Sequence, residues 1–458
     1  MKHGIFILLF IAMLLTAAAA LGLELTADPI VPFSENRILV RSDTAGTLTI
    51  TPCLPDFDLM DAVNSFPVEA GETEILWDGL SWYGEPVPAG RLTLRARLAD
   101  ASGAVTETSL QIRIKDPLCT AVLCLPFADS FCPSDGDLRV DCGLSRKGTV
   151  VLTVASADEP DRVLRTLRQT ASGSVPVTLK WDGRDQQGHL LPPGEYLLTA
   201  ASEALPDRRV TAPVTLEDTP SAPLNVFVTR DLFPADPEDD QQVWAALTAP
   251  AVVGAGTEGQ GLYLMKKKKY APGGSISCRT VAVRVLETGE DGWCKVAAWR
   301  QAVGEYMEGY VKQDKLTVIA PRQHYGVLIS KQAQTLTVYR DGMRLGSLPV
   351  STGLLSADQP LAATPPGVYL IGSRMKAFQN DGFHYDYPIR LHGSYLLHTV
   401  GWKLRDSARS YAKELADLGS PASHGCIRMD VRPGADGGLN AWWIWTHLGR
   451  DTRVIVTE

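Results

Sequence analysis

The sequence predicts a mainly β, multidomain chain: two β-sandwiches, a small barrel and a C-terminal β-rich domain with a few helices. Three observations carry this expectation. The chain has 458 residues, too many for one hydrophobic core, so three or four domains of ordinary size are expected. Its 45% hydrophobic and 21% charged residues are the composition of folded protein rather than of disordered chain. Short alternating runs bounded by Gly, Pro and Asp-Gly turns recur along most of its length, which is the pattern of half-buried strands.

The first segment, residues 1–22, reads MKHGIFILLFIAMLLTAAAALG. One lysine ahead of an apolar run that ends in small residues is the layout of a secretory signal, with cleavage expected near Ala20 or Gly22. The run is also long enough to serve as an uncleaved single anchor. Either way the bulk of the chain is expected outside the cytoplasm, with membrane contact confined to this segment. A formal net charge of −8 argues against nucleic acid as a partner, because phosphate contacts need clustered Lys and Arg. The one basic run, MKKKKY at Met265–Tyr270, is too short to overturn that and reads as a solvated edge strand.

Eight cysteines are spread along the chain: Cys53, Cys119, Cys124, Cys132, Cys142, Cys278, Cys294 and Cys426. The four from Cys119 to Cys142 form no CxxC and have no histidine among them, which disfavours zinc. Pairing or plain burial is the expected fate outside the cytoplasm, and Cys278 and Cys294 lie close enough in one segment to bridge.

Residues 23–116 and 117–218 repeat each other. ILWDGLSWYGEPVPAGRLTLRARL from Ile75 matches LKWDGRDQQGHLLPPGEYLLTAAS from Leu179, a spacing of about one domain. Each copy has a Trp-Asp-Gly turn, a polar loop, a Pro-Gly turn and an alternating strand, read here as a hairpin within a β-sandwich. The motif WDGxxxxGxxxPxGxY, closed by Tyr196 in the second copy and matched more loosely in the first, resembles the immunoglobulin-like module of the flagellar hook-capping protein and of many exported bacterial proteins. The resemblance implies a spacer or binding role without chemistry.

The Pro-rich stretch EDTPSAP at 217–223 separates these units from residues 223–321. There, alternating strands broken by Gly-Asp turns suggest a small barrel. With DGWCKV and EGYV, the segment resembles a bacterial SH3-like domain, which implies contact with cell-wall peptide or glycan.

Residues 323–458 open with YGVLISKQAQTLTVYRDGMRLGSLPVSTG, read as paired strands around an Asp-Gly turn with a third run into Ser351, Thr352 and Gly353. ATPPGVYLIGS resumes strand after a Pro-Pro-Gly turn, and an aromatic-rich run leads to His398. Two helices are expected. RDSARSYAKELADLG has apolar residues at Ala408, Tyr411, Ala412, Leu415 and Leu418, spaced for one helical face, with Asp406 as cap and Gly419 as stop. The second lies around GGLNAWWIWTHLG, whose Trp442, Trp443 and Trp445 cannot all face one side, so sugar stacking competes with core packing as the role of one of them.

SPASHGCIRMD at Ser420–Asp430 raises the chemical question. A cysteine attacks a carbonyl only as thiolate, so it needs a base and donors aimed at the developing oxyanion. Glycine before the cysteine permits a sharp turn on which the Gly425 and Cys426 amides could point at one oxygen. Among nearby histidines, His424 flanks the cysteine on the turn, whereas His398 ends a strand before the loop that returns to it, a workable base. A metal reading would need His384, His392 and His398 to converge, and their spacing fits no zinc pattern.

SHGCIRM, preceded by His398 and by the VSTG and TPPG blocks in order, resembles the L,D-transpeptidase catalytic domain of the YkuD type. That resemblance implies an exported acyltransferase that takes peptidoglycan stem peptides, with Cys426 as nucleophile, His398 as general base and acid, and no metal or cofactor. It also implies that the Thr399 carbonyl orients the imidazole and that Gly425, Ser423 and His424 shape the oxyanion loop. Arg428 either meets a substrate carboxylate or forms a structural salt bridge; Tyr387 and Trp402 are further candidates for substrate contact. The reaction implied is thioester formation with release of D-Ala, resolved by an amine into a 3→3 cross-link or by water as a carboxypeptidase. Carbapenems acylate such cysteines. The loop between histidine and cysteine is longer than usual, and Thr399 replaces the customary glycine or serine. Two rivals remain: an NlpC/P60 peptidase, which has its cysteine before its histidine, and a non-catalytic wall-binding scaffold.

Overall fold

Alternation of apolar and polar residues builds most of this chain into strands. The computed structural model describes residues 22–59, 64–220, 232–268, 270–299, 306–355, 362–434 and 438–458; the segment read as a secretory signal lies almost wholly outside the described residues. The architecture is mainly β and multidomain, in eight separate sheets among the described residues.

The first repeat packs a three-stranded sheet (Leu23–Ala27, Asn36–Ser42, Gly71–Trp77) against a four-stranded one (Asn64–Val68, Gly46–Cys53, Gly90–Asp100, Val105–Ile114). In Asn36–Ser42, Ile38 and Val40 point into the core while Arg37 and Arg41 stay exposed, as the two-residue period of a strand requires. The second repeat pairs Val177–Trp181, Leu138–Leu144 and Ala121–Pro126 in one sheet and five strands in the other. The repeated motif folds the same way twice. Trp77 Nε1 donates to the Leu80 carbonyl and Trp181 Nε1 to that of Arg184, at 2.9 and 3.1 Å. Asp78 and Asp182 each accept the amide two residues on, and the glycine of each motif has a positive φ, 71° and 75°. The expected hairpin is confined to the polar loop of the motif, where antiparallel bridges join Leu80 to Pro86 and Arg184 to Leu190. In both copies the strand before the motif and the strand after it belong to opposite sheets, so the motif is a crossover that closes the edge of the sandwich.

The third unit is a seven-stranded sheet preceded by a helix, Asp240–Thr248, that the sequence reading missed. Asp239 caps it by accepting the Gln241 and Gln242 amides. Val243 and Leu247 bury against Leu328, Tyr339 and Ile455 of the last domain. The basic run is not an edge strand: Gly261–Lys267 pairs on both sides, Tyr270–Ser277 is the edge, and Lys268 sits at the hairpin tip, 2.6 Å from Asp291. Cys278 and Cys294 are buried free thiols, and so are Cys124 and Cys142, which oppose each other across two strands.

The last domain is built on an eight-stranded sheet ordered Gly367–Leu370, Arg453–Thr457, Tyr325–Ser330, Thr335–Arg340, Met343–Ser351, Ile427–Met429, Tyr395–Thr399 and Ile389–His392. Two pairs in it are parallel, Tyr325–Ser330 with Arg453–Thr457 and Tyr395–Thr399 with Ile427–Met429. Of the two expected helices, Ala441–His447 forms, capped by Asn440 on the Trp443 amide; Trp445 is buried while Trp442 and Trp443 are partly covered. The other shrinks to one turn, Ala412–Leu415, after a hairpin of Lys403–Arg405 with Ala408–Ser410. Asp406 is not its cap. Asp406 and Ser407 take φ of 51° and 64° and make the hairpin turn, a left-handed conformation that short polar side chains tolerate.

This domain shares a core with the first module, because Val400, Trp402, Tyr411 and Val431 cluster with Ile30, Trp77, Val87 and Leu94. At the same junction Glu85 accepts from the Tyr83 and Tyr387 hydroxyls at 2.8 and 3.1 Å. Burial there raises its carboxyl to about 7. The folded state therefore binds this proton more tightly than the unfolded chain, and stability should fall as pH rises from about 4.5 to about 7. Melting temperatures of the wild type and Glu85→Gln across this window should differ in slope, with the variant's curve flatter; equal slopes would contradict the assignment.

Candidate active site

The site begins with strand register. Parallel pairing sets Leu397 against Ile427, His398 against Arg428 and Thr399 against Met429. Leu397 and Ile427 turn into the core. Residues two apart share a face, so Cys426, one position before its strand, falls on the same face as His398.

His398 is 3% exposed. Its Nδ1 lies 2.7 Å from the Thr399 carbonyl oxygen, which can only accept, so the proton sits on Nδ1 and Nε2 is left as an acceptor. Thr399 is itself fixed, since its hydroxyl accepts the Asp386 amide at 2.9 Å. Phe378 and Tyr385 meet the imidazole edge-on, with centroids 5.3 and 4.7 Å away. Burial lowers its pKa to about 4, against the pull of the Thr399 hydrogen bond and with the help of the Arg428 charge. The ring is neutral at physiological pH.

Cys426 is partly exposed, with its sulfur 3.5 Å from the Ser394 carbonyl oxygen. Burial pushes the thiol up; a backbone hydrogen bond from Leu396 and the charges of Arg428 and Arg390 oppose this. The resting pair is thus thiol and imidazole rather than thiolate and imidazolium.

The turn before the cysteine is held from three sides. The Ser423 hydroxyl accepts the Gly425 amide at 3.1 Å and donates to the Cys426 carbonyl. Gly425 has φ 111°, and a Cβ there would collide with the Tyr395 ring, so glycine is obligatory. Its carbonyl accepts from the Thr364 hydroxyl at 2.9 Å, and that hydroxyl accepts the Gly353 amide at 2.8 Å. The VSTG, TPPG and SHGC blocks, far apart in sequence, therefore meet at one oxygen. Two expectations change here. The Gly425 amide is engaged by Ser423, so it does not pair with the Cys426 amide toward a common oxygen. His424 is exposed, and its ring makes no hydrogen bond within the turn.

The three substrate-contact candidates are placed differently. Arg428 takes the salt-bridge alternative: its Nη2 lies 3.0 Å from Glu414 Oε1, with both side chains buried. Tyr387 reaches away to Glu85 of the first module. Trp402 is 8% exposed in the core shared with that module, its Nε1 donating to Asp386 and its ring stacked by His384 at 4.1 Å. Both aromatic residues pack toward the first module, Tyr387 through Glu85 and Trp402 in the shared core. His392 turns toward Ser277 of the third unit, so the three histidines do not converge. Among the described residues no group of three or more His, Cys, Asp or Glu could hold a metal ion.

Sequence reasoning missed Glu414, Tyr385 and Thr364. Thr364 lay inside a quoted block and could have been found there. Glu414 carried no signal, being one acid among several in the segment RDSARSYAKELADLG.

A neutral, carbonyl-held histidine on the same sheet face as a cysteine at a glycine turn fits nucleophilic acyl chemistry. Residues 324–456 match the YkuD family model, described as the L,D-transpeptidase catalytic domain, and the C-terminal domain is of that type. Among solved structures, the chain is similar to an L,D-transpeptidase from Mycobacterium smegmatis, at 16% identity over 46% of this chain and 92% of that one, with a TM-score of 0.25. It is also similar to an L,D-transpeptidase from Mycobacterium tuberculosis H37Rv, at 17% identity over 58% and 90%, with a TM-score of 0.25. Scores this low add nothing to the family match. No curated protein sequence matches significantly.

Proposed function

We propose that the chain is an exported L,D-transpeptidase acting on peptidoglycan stem tetrapeptides, with Cys426 as nucleophile and His398 as general base and acid. The observation that carries this reading is the free Nε2 of a neutral His398 on the face that bears Cys426. The Cys426 proton passes to Nε2 as the sulfur attacks the carbonyl of the third stem residue. The Cys426 N–H is the amide of the turn that remains for the oxyanion. Collapse breaks the C–N bond to D-alanine, whose nitrogen takes the proton from His398, leaving a thioester. An amine of a neighbouring stem then attacks the thioester and returns its proton through His398 to the departing sulfur, which forms a 3→3 cross-link; water in its place yields a tripeptide. A resting thiol suits this sequence, because the base acts at the moment of attack.

Export rests on residues 1–22, and no helix among the described residues is long and apolar enough to cross a membrane. In this reading the two N-terminal sandwiches are immunoglobulin-like modules and the third unit is an SH3-like contact for wall peptide or glycan. Incubation of the full chain with disaccharide-tetrapeptides, followed by mass analysis of products, should yield cross-linked dimers and free D-alanine. Tripeptide alone would mark a carboxypeptidase, and no D-alanine release would contradict the reading.

A further inference from the structure

The helix turn Ala412–Leu415 has no capping side chain of its own. Its cap comes from the first module. Asp56 Oδ2 accepts from Ser410 Oγ, the Tyr411 amide and the Ala412 amide at 2.6, 2.7 and 3.0 Å. These donors would otherwise lack partners at the start of a helix. The contact is anchored on both sides: Phe57 packs on Tyr411 with centroids 5.7 Å apart, and the Arg91 amide donates to the Ser407 carbonyl at 3.2 Å.

What this turn holds is Glu414, 4% exposed. Its Oε1 accepts from the Tyr385 hydroxyl at 2.9 Å and from Arg428 at 3.0 Å, and its Oε2 accepts the Gly401 amide at 2.6 Å. Each partner touches the surroundings of His398. Tyr385 packs edge-on against the imidazole. Arg428 is its neighbour in strand register. Gly401 lies two residues beyond Thr399, whose carbonyl holds Nδ1. The approach is close enough that a Cβ on Gly401 would come within 2.7 Å of Tyr385 and 2.8 Å of Glu414. A buried carboxylate with three donors has little freedom, so displacing the turn that carries it displaces all three.

We infer that Asp56 is a positioning residue for the Cys426–His398 pair, acting through Glu414, and that the first module is part of the catalytic unit rather than a spacer. The inference rests on the proposed transpeptidase reading.

The test is the acylation of the full-length chain by meropenem, resolved into a maximal rate and an apparent affinity, for wild type, Asp56→Ala, Asp56→Asn and Glu414→Gln, with thermal melts of each. Asp56→Ala should lower the maximal rate by about ten- to a hundredfold, the range that a misplacement of reacting groups by up to an ångström costs. Apparent affinity should stay within about twofold, since the contact is not with the ligand. Asp56→Asn keeps one oxygen acceptor and should recover part of the rate, which general loss of stability would not explain. If Asp56→Ala does not fold, Glu414→Gln carries the test with the same expected fall and Asp56→Asn with a smaller one. Folded variants that acylate at the wild-type rate would overturn the inference while leaving the nucleophile assignment intact. A wild type that takes no adduct would remove the transpeptidase reading beneath it.

Discussion

Replacing His398 by alanine is expected to slow acylation of Cys426 by about 10²- to 10⁴-fold, the usual worth of a positioned general base. The size of the effect follows from the state of the pair. Burial holds the imidazole neutral, with a pKa of about 4, and raises the thiol above its ordinary value. Hardly any thiolate is present at neutral pH, so most of the reaction has to pass through Nε2. The dependence on pH should separate the two enzymes. In the wild type the acid limb belongs to His398: its folded pKa is depressed, so activity persists as pH falls and is lost only on approach to about 4. In the variant the thiol must ionise unaided, so its rate should climb with pH into the alkaline range. Measuring the meropenem acylation rate from pH 4 to 10 distinguishes these shapes. A variant that kept the wild-type rate and profile would remove His398 from the mechanism.

The strand positions and the YkuD-type motif were legible because both are local patterns. Alternation fixes Asn36–Ser42, and the Asp341-Gly342 dipeptide, with φ of 49° and 85°, makes the turn that pairs Thr335–Arg340 with Met343–Ser351. SHGC is contiguous, and its glycine is dictated by its own backbone and by Tyr395. What failed was decided by distant partners. The apolar spacing from Ala408 to Leu418 fits a helix, yet a hairpin followed by one helical turn buries Ala408 and Tyr411 equally well once the first module supplies the facing surface. Arg428 had two plausible fates, and Glu414, which belongs to no motif, chose between them. Tyr387 and Trp402 are aromatic residues near the motif in sequence, but the first module, more than 300 residues away from Tyr387 along the chain at Glu85, covers them.

The central claim is that Cys426 forms the covalent intermediate, and its replacement by alanine is expected to have the largest effect of all. No other group on the loop can substitute: Ser423 is buried with its hydroxyl bonded at both ends of the turn, and His424 is exposed. The other seven cysteines lie outside the catalytic domain, and five of them are buried. Intact-mass analysis of the full chain after exposure to meropenem tests this most directly. The wild type should gain the mass of one ring-opened meropenem and Cys426→Ala should gain none; an adduct that persists on Cys426→Ala would contradict the account.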